Sequence, residues 1–272
     1  MSHHGWIGRI IRCVQCAAWC VLVVVAVAPR LRAQDRPFVF SLTTAAPETK
    51  MQVRVDVDLG AGEGAFHRSD ASGPEQRIGV QLSTGRLTVV GRFDIATSET
   101  ATYDTSQSAE MLVSFAPRGV LIAAGGGLLH EAGGVDVLLG RVVAARESEF
   151  WRLNGNVLFQ KPVGVEGRDA VDLLTSIGWA RRINPAVSLG LEAIGEDLEG
   201  FWEQEEAEGG ARLLVGPSVH VAPKGRKWQL TATGGPTFHP SDTGRTSGAL
   251  RDLPPTSTRV SYAVRTALAI GF

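Results

Sequence analysis

The sequence predicts an all-β fold: a closed transmembrane antiparallel up-and-down β-barrel of about twelve strands, with about ten as the alternative count. Three observations predict it. From Lys50 onward, segment after segment alternates apolar with polar residues. The connections between segments are long and short in turn, and the large aromatic residues gather near segment ends. Successive side chains of a strand point to opposite faces, so each segment carries one greasy face and one polar face. In a barrel that crosses lipid, the first looks outward and the second lines the lumen.

The chain is predicted to begin with a secretory signal over 1–33. Arg9 and Arg12 supply the positive region, and Cys13 to Ala28 form the apolar core, which is shorter than the ~20 residues a spanning helix needs. Pro29 disfavours cleavage after Ala28, so the cut is expected after Ala33. All three cysteines lie in this segment, which leaves the mature chain without a disulfide scaffold, a thiolate metal site or a cysteine nucleophile. Four of the 27 basic residues lie there as well, leaving 23 basic against 28 acidic and a net charge of −5. A nucleic-acid partner would want a basic stripe, and none is present. Residues 34–49 are expected to be a periplasmic lead-in, in which Phe38 and Phe40 flank Val39, and 50–272 the barrel.

The first strand sets Met51, Val53, Val55, Val57 and Leu59 against Gln52, Arg54, Asp56 and Asp58. Soluble half-buried strands alternate too, so this segment alone decides nothing. A polar, glycine-rich loop over 60–75 follows. The second strand (Ile78, Val80, Leu82) turns tightly at Ser83-Thr84-Gly85-Arg86 into a third, with Leu87, Val89, Phe93 and Ile95 opposite Arg86, Thr88, Arg92 and Asp94. A loop is expected over 97–108, then a fourth strand over 109–116 and a turn at Ala116-Pro117-Arg118-Gly119. The fifth and sixth strands, over 119–130 and 134–145, are apolar on both parities, so their faces stay unassigned. The seventh sets Trp151, Leu153, Val157 and Phe159 against Arg152, Asn154, Asn156 and Gln160. The eighth (Val171, Leu173, Ile177, Trp179) turns at Arg182-Ile183-Asn184-Pro185 into the ninth (Val187, Leu189, Leu191 opposite Glu192). The tenth and eleventh flank Pro223-Lys224-Gly225, and the loop 239–257 precedes the last.

If both chain ends lie on one side, odd-to-even connections are outer loops and even-to-odd ones are short turns. The long stretches 60–75, 97–108, 161–169, 196–209 and 239–257 all fall at outer positions, and only the link between the fifth and sixth strands is short for its place. Phe115, Trp151, Trp179, Trp228 and Phe272 then collect at the turn end, as an interfacial girdle requires, with Phe159 and Phe238 at the loop end.

The terminal stretch TRVSYAVRTALAIGF sets Val260, Tyr262, Val264, Leu268 and Ile270 on one face and stops on Phe272. It resembles the closing strand of bacterial outer-membrane β-barrels, whose terminal aromatic is read by the barrel-assembly machinery. Together with the run Arg182 to Glu192 and the segment Val215-Gly216-Pro217-Ser218, it makes the mature chain similar to the outer-membrane barrels called transporters, including the MetA-pathway phenol-degradation family. The resemblance implies a Gram-negative outer membrane, contact with its lipid and lipopolysaccharide, and a passive or substrate-selective pore for small polar or mildly hydrophobic solutes. It carries over no catalytic residue and implies no cofactor.

Gly60-Ala61-Gly62-Glu63-Gly64 lacks the helix that a phosphate-binding turn needs behind it, so it is loop. Gly125-Gly126-Gly127 is a strand kink. Ser218 and His220 share a face with Glu192, the residue types of a hydrolase. Residues two apart on a strand are ~7 Å apart, too far for a direct hydrogen bond, so lumen polarity explains them better. His67, His130 and His239 lack metal-ligand spacing, and Glu203, Glu205, Glu206 and Glu208 form a solvated loop. The parity assigns Arg54, Asp56, Asp58, Arg86, Arg92, Asp94, Arg152, Glu192, Arg212, Arg259 and Arg265 to the lumen. Their excess of arginine suits a polar, mildly anion-preferring passage. The alternatives are a non-conducting structural or surface-interaction barrel and, more distantly, a lipid hydrolase.

Overall fold

Strand β1 (Lys50–Ala61) is hydrogen-bonded on one side to β2 (Glu75–Thr84) and on the other to the last strand, β12 (Val260–Gly271), and this pairing closes the sheet. Between them run β3 (Leu87–Thr97), β4 (Tyr103–Phe115), β5 (Leu121–His130), β6 (Asp136–Glu147), β7 (Trp151–Pro162) and β8 (Asp172–Asn184). The circuit continues through β9 (Val187–Glu196), β10 (Arg212–Val221) and β11 (Trp228–Phe238), each strand antiparallel to the next. The computed structural model describes residues 38–42, 44, 50–61, 75–97, 103–115, 120–131, 134–164, 171–201, 211–239 and 260–271. Of these, the side chains of 50–52, 56–61, 75, 96–97, 103–104 and 199–200 are outside the description. The predicted signal peptide, Phe272, Arg259, His67 and the glutamates of 203–208 also lie outside it.

Closure leaves no sheet edge, so every ladder group of the wall has a strand neighbour. The register at the seam runs from Gln52 opposite Gly271 to Ala61 opposite Tyr262. Short turns join strands at one end, as at Gly85-Arg86 and Pro185-Ala186, and the long connections cluster at the other. The short link between β5 and β6 is a tight loop in which Glu131 N donates to the Val135 carbonyl and Gly134 N to that of Glu131.

The wall is inside-out relative to a soluble protein. Met111, Leu128, Ile177, Leu191 and Tyr262 are all more than half exposed, whereas Glu110, Arg141, Asn154, Glu192 and Arg212 are buried. Water gives no reason to expose one and hide the other, but lipid outside and a lumen inside give both. Among the described residues no helix is long and apolar enough to cross a membrane, and the strands do the crossing. Phe115, Trp179 and Trp228 lie exposed on the outer face, and Trp151 is half-buried beneath the Arg146 guanidinium at 6.0 Å.

The faces that the sequence left open resolve clearly. Ala123, Leu129, Val137, Leu139 and Val143 point inward, with Leu128, Leu138 and Val142 outward. Both parities are apolar because this sector of the lumen is packed with hydrocarbon. One cluster joins Leu129, Val137, Leu139 and Leu158, and another joins Val90, Leu112, Ala123 and Val143. At Gly125 and Gly127 a Cβ would fall about 2 Å from carbonyl oxygens of β4, so the glycines allow a close backbone approach.

Several boundaries differ from expectation. Strand β4 starts at Tyr103, within the expected 97–108 loop, because the strand runs past the apolar belt, where outward residues such as Thr105 and Gln107 are polar and alternation fades. The β8–β9 turn falls at Pro185-Ala186, with Asn184 Oδ1 accepting from Ala186 N at 2.8 Å in an Asx turn. Arg86 is corrected from lumen to turn: it lies exposed beside Gly85, whose φ of 52° suits the tight reversal.

Candidate functional site

Residues 38–42 and 44, which lie within the stretch 34–49 expected to be a periplasmic lead-in, are packed against the inner wall of the barrel. Phe38, Val39, Ser41, Leu42 and Thr44 are buried. Alternation places the groups that hold them. On β9 it turns Glu192 inward, on β7 Asn154 and Asn156, on β8 Ser176 and Gly178, on β1 Arg54, and on β12 Arg265.

Glu192 is the centre of the arrangement. Its Oε1 accepts from Phe40 N at 2.6 Å and Ser41 N at 2.8 Å, and its Oε2 accepts from Val39 N and from the Thr233 hydroxyl, both at 2.9 Å. Three successive backbone N–H groups converge on one carboxylate, a nest made by the bend at 39–41. A buried carboxylate needs such donors, since an unpaired one is costly to desolvate.

One residue further on, Asn156 holds both main-chain groups of a single residue: its Oδ1 accepts from Leu42 N at 3.1 Å and its Nδ2 donates to Leu42 O at 3.2 Å. Asn154 Nδ2 donates to the same carbonyl at 2.9 Å. Arg54 donates to the carbonyls of Phe38 and Val39 at 3.2 and 2.7 Å. Side chains of the segment have their own places. Leu42 joins the apolar cluster of Val90, Leu112, Ala123 and Val143. Phe40 lies under the Arg265 guanidinium at 4.7 Å, a cation–π contact. Phe38 lies over Gly178, where a Cβ would come within 2.4 Å of its ring.

A second polar group lies on β2, β3, β4 and β6. Glu110 accepts from Arg141 Nε at 2.6 Å and Nη2 at 3.0 Å, and from Arg92 Nη1 at 3.1 Å. Arg77 Nε donates to Asp94 at 2.5 Å, and Ser106 to the other Asp94 oxygen at 3.2 Å. Toward the loop end, Arg212 and Glu196 are 3.9 Å apart. His239, just beyond β11, lies 3.2 Å from the Ser261 hydroxyl; burial, then the Arg212 charge, push its imidazole down to about 4.

Of the residues assigned to the lumen by parity, the structure thus unites Arg54, Glu192 and Arg265 around the segment, and Arg92 and Asp94 in the β3–β4 group. Arg152 pairs with Glu147 near the turn end. Asp56 and Asp58 share β1 with Arg54, opposite Ala267 and Arg265 of β12, but their side chains are outside the description. Arg77, Glu110 and Arg141 were missed. Arg77 and Glu110 stand at lumen parity beside residues that were read, whereas Arg141 lies in the strand whose faces stayed unassigned. His220 Nδ1 is 2.8 Å from the Thr231 hydroxyl while Glu192 holds Thr233 and the segment, so this set is organised around the lumen packing. Among the described residues no group of His, Cys, Asp or Glu is arranged to hold a metal ion.

No family model matches the sequence, and no curated protein matches it. The fold is similar to solved outer-membrane barrels. An outer membrane channel from Pseudomonas putida F1 aligns at a TM-score of 0.56 and 10% identity, over 88% of this chain and all of that one. The KdgM porin aligns at 0.54 and 5% identity, over 81% and 99% of the two chains. The NanC porin aligns at 0.51 and 8% identity, over 81% and 98%. At such identities the likeness is one of fold: a closed, twelve-stranded outer-membrane β-barrel.

Proposed function

We propose that this chain is a channel of the Gram-negative outer membrane for small polar or mildly hydrophobic solutes, held closed at rest by residues 38–42. The carrying observation is that the lumen is occupied by a segment bound through wall side chains such as Glu192, Asn156 and Arg54. Contacts of this kind exchange for water or solute without breaking the barrel ladder. A wall built only for strength would pack its lumen with side chains of its own. The porins and channel that share the fold support the reading by analogy. The narrower kinship with the MetA-pathway barrels, carried by Arg182 to Glu192 and Val215 to Ser218, belongs to the same proposal, as does recognition of the last strand by assembly machinery.

Planar-bilayer recording tests it. The purified full chain is expected to give rare, small current steps, and Phe38→Ala with Leu42→Ala in one chain to give larger and longer ones. Silence from both, with each barrel folded by heat-modifiable gel mobility, would overturn the channel.

A further inference from the structure

We propose that the inner wall around Glu192 is a peptide-binding cradle, and that its ligand class is a short bent peptide with an aromatic residue followed four positions later by leucine. Residues 38–42 are then its resident occupant, and the solute that opens the lumen is one that replaces them. The proposal deepens the channel reading by naming a substrate class.

The argument rests on what the wall touches. Most of its polar bonds to the segment go to main-chain atoms. Glu192 takes the N–H groups of Val39, Phe40 and Ser41. Asn156 takes both the N–H and the carbonyl of Leu42, with Asn154 on that carbonyl as well. Arg54 takes the carbonyls of Phe38 and Val39. Main-chain groups are common to every peptide, so this part of the cradle recognises peptide as a substance. A sugar or a simple anion offers no row of three N–H donors spaced to meet one carboxylate, and an anion would be repelled by it. Side-chain selectivity comes from two fitted places. The slot over Gly178 accepts a flat ring and has no room for a Cβ on the wall, and Val90, Leu112, Ala123 and Val143 make an aliphatic pocket for Leu42. The spacing between the slot and the pocket sets the four-residue interval.

Occupancy is also required electrostatically. Without the segment, Glu192 would keep Thr233 as its protein donor among the bonds described, and its buried charge would need new donors. An incoming peptide supplies the same N–H groups in the same place, and water supplies them less well in a site lined with hydrocarbon. The exchange therefore favours a ligand that mimics the segment.

The test uses the full chain in detergent micelles and a fluorescent synthetic peptide of residues 36–44, read by anisotropy. Two variants weaken the resident segment without altering any strand: Phe38→Ala with Leu42→Ala, and Ser41→Pro, which removes one N–H bonded to Glu192. Either is expected to bind the peptide at least about tenfold more tightly than the unaltered chain, since the tethered competitor is weakened. A peptide N-methylated at the positions of Phe40 and Ser41 is more apolar yet lacks two donors, and is expected to bind about tenfold less. Adding Glu192→Gln to either variant should bring a loss of about thirtyfold. Equal binding of the methylated, scrambled and native peptides would overturn the cradle, as would no binding to either variant. Anisotropy needs no ion flow, so binding without conductance removes the channel and keeps the cradle. Conductance without binding does the reverse.

Discussion

Glu192 and Phe40 are 152 residues apart in the chain, and the carboxylate of the first accepts the N–H of the second at 2.6 Å. With the bonds from Val39, Ser41 and Thr233, four donors meet the two oxygens, about the full capacity of an ionised carboxylate. Glu192→Gln turns one oxygen into an NH₂ group that faces N–H donors. Charge-assisted bonds of this type are worth ~1.5–3 kcal/mol each, so the segment should loosen by at least ~2 kcal/mol, a roughly thirty-fold shift toward release. Amide hydrogen exchange at Val39, Phe40 and Ser41 checks it, and unchanged protection there would count against the nest as the main hold.

Glu110 stands between Arg92 and Arg141 on the inner wall. Glu110→Gln leaves two arginines without their carboxylate, one of them almost wholly buried. Removing one partner of a buried pair costs ~3–5 kcal/mol. Arg92→Gln removes the single, more exposed bond at 3.1 Å and should cost ~1 kcal/mol. Urea unfolding in micelles should rank the variants in that order, and a reversal would mean that Arg92 carries the group.

Gly178 tests the slot from the wall side. A Cβ there would stand 2.4 Å from Phe38 Cδ1 and 2.6 Å from Cε1. Gly178→Val should evict the ring and leave the barrel intact, because strand positions tolerate valine well. Chymotrypsin, which cuts after aromatic residues, is expected to cleave at Phe38 and Phe40 about tenfold faster in the variant while the heat-modifiable shift persists. Cleavage at the rate of the unaltered chain would show that the segment accommodates the extra carbons.

How much of this could be read beforehand follows from where the two-residue period was intact. On β3, β7, β9 and β12 the polar residues keep mostly to one parity, broken by inward apolar residues such as Val90, Leu158 and Ile194, and the outer and inner faces follow from the sequence directly. On β5 and β6 the period is present in space but invisible in chemistry, because the inward Ala123, Leu129, Val137 and Val143 are as apolar as the outward Leu128 and Val142. The segment was hidden for a different reason. The segment 38–42 has no partner strand to fix its place, and apart from those of the nearby Arg54 its bonds to the wall come from Glu192, Asn154, Asn156 and Ser176, more than a hundred residues away. A glutamate between Leu191 and Ala193, in the middle of a strand whose other carboxylate, Glu196, stands at its end, was the available signal. A buried carboxylate implies donors, and the wall beside it offers Thr233.

His239 gives a pH prediction. Its pKa is lowered from 6.5 to about 4 by burial and then by Arg212. The folded state therefore binds fewer protons than the unfolded state between those values, and stability rises with pH across that window. Stability present above pH ~6.5 should be lost as pH falls toward ~4. Proton NMR of the micellar protein should show a histidine that stays neutral at pH 5 and vanishes in His239→Gln. A resonance titrating near the ordinary histidine value would mean that the site is wetter than its packing against Ser261 indicates.

The outer face can be tested by depth. Ile177 is more than half exposed near the middle of β8, and Phe238 is exposed at the loop end of β11. In lipid an arginine at the bilayer midplane costs ~2–4 kcal/mol, falling to ~0–1 kcal/mol near the interface. In water both substitutions would be close to neutral, because each replaces an exposed apolar side chain. Ile177→Arg is therefore expected to lower the unfolding free energy in lipid vesicles by ~2–4 kcal/mol, and Phe238→Arg by ~1 kcal/mol or less. Reversible urea titration, followed by tryptophan fluorescence, measures both. Equal, small effects would place Ile177 outside the hydrocarbon and shift the apolar belt along the barrel axis. A large cost at Phe238 alone would shift it toward the loops.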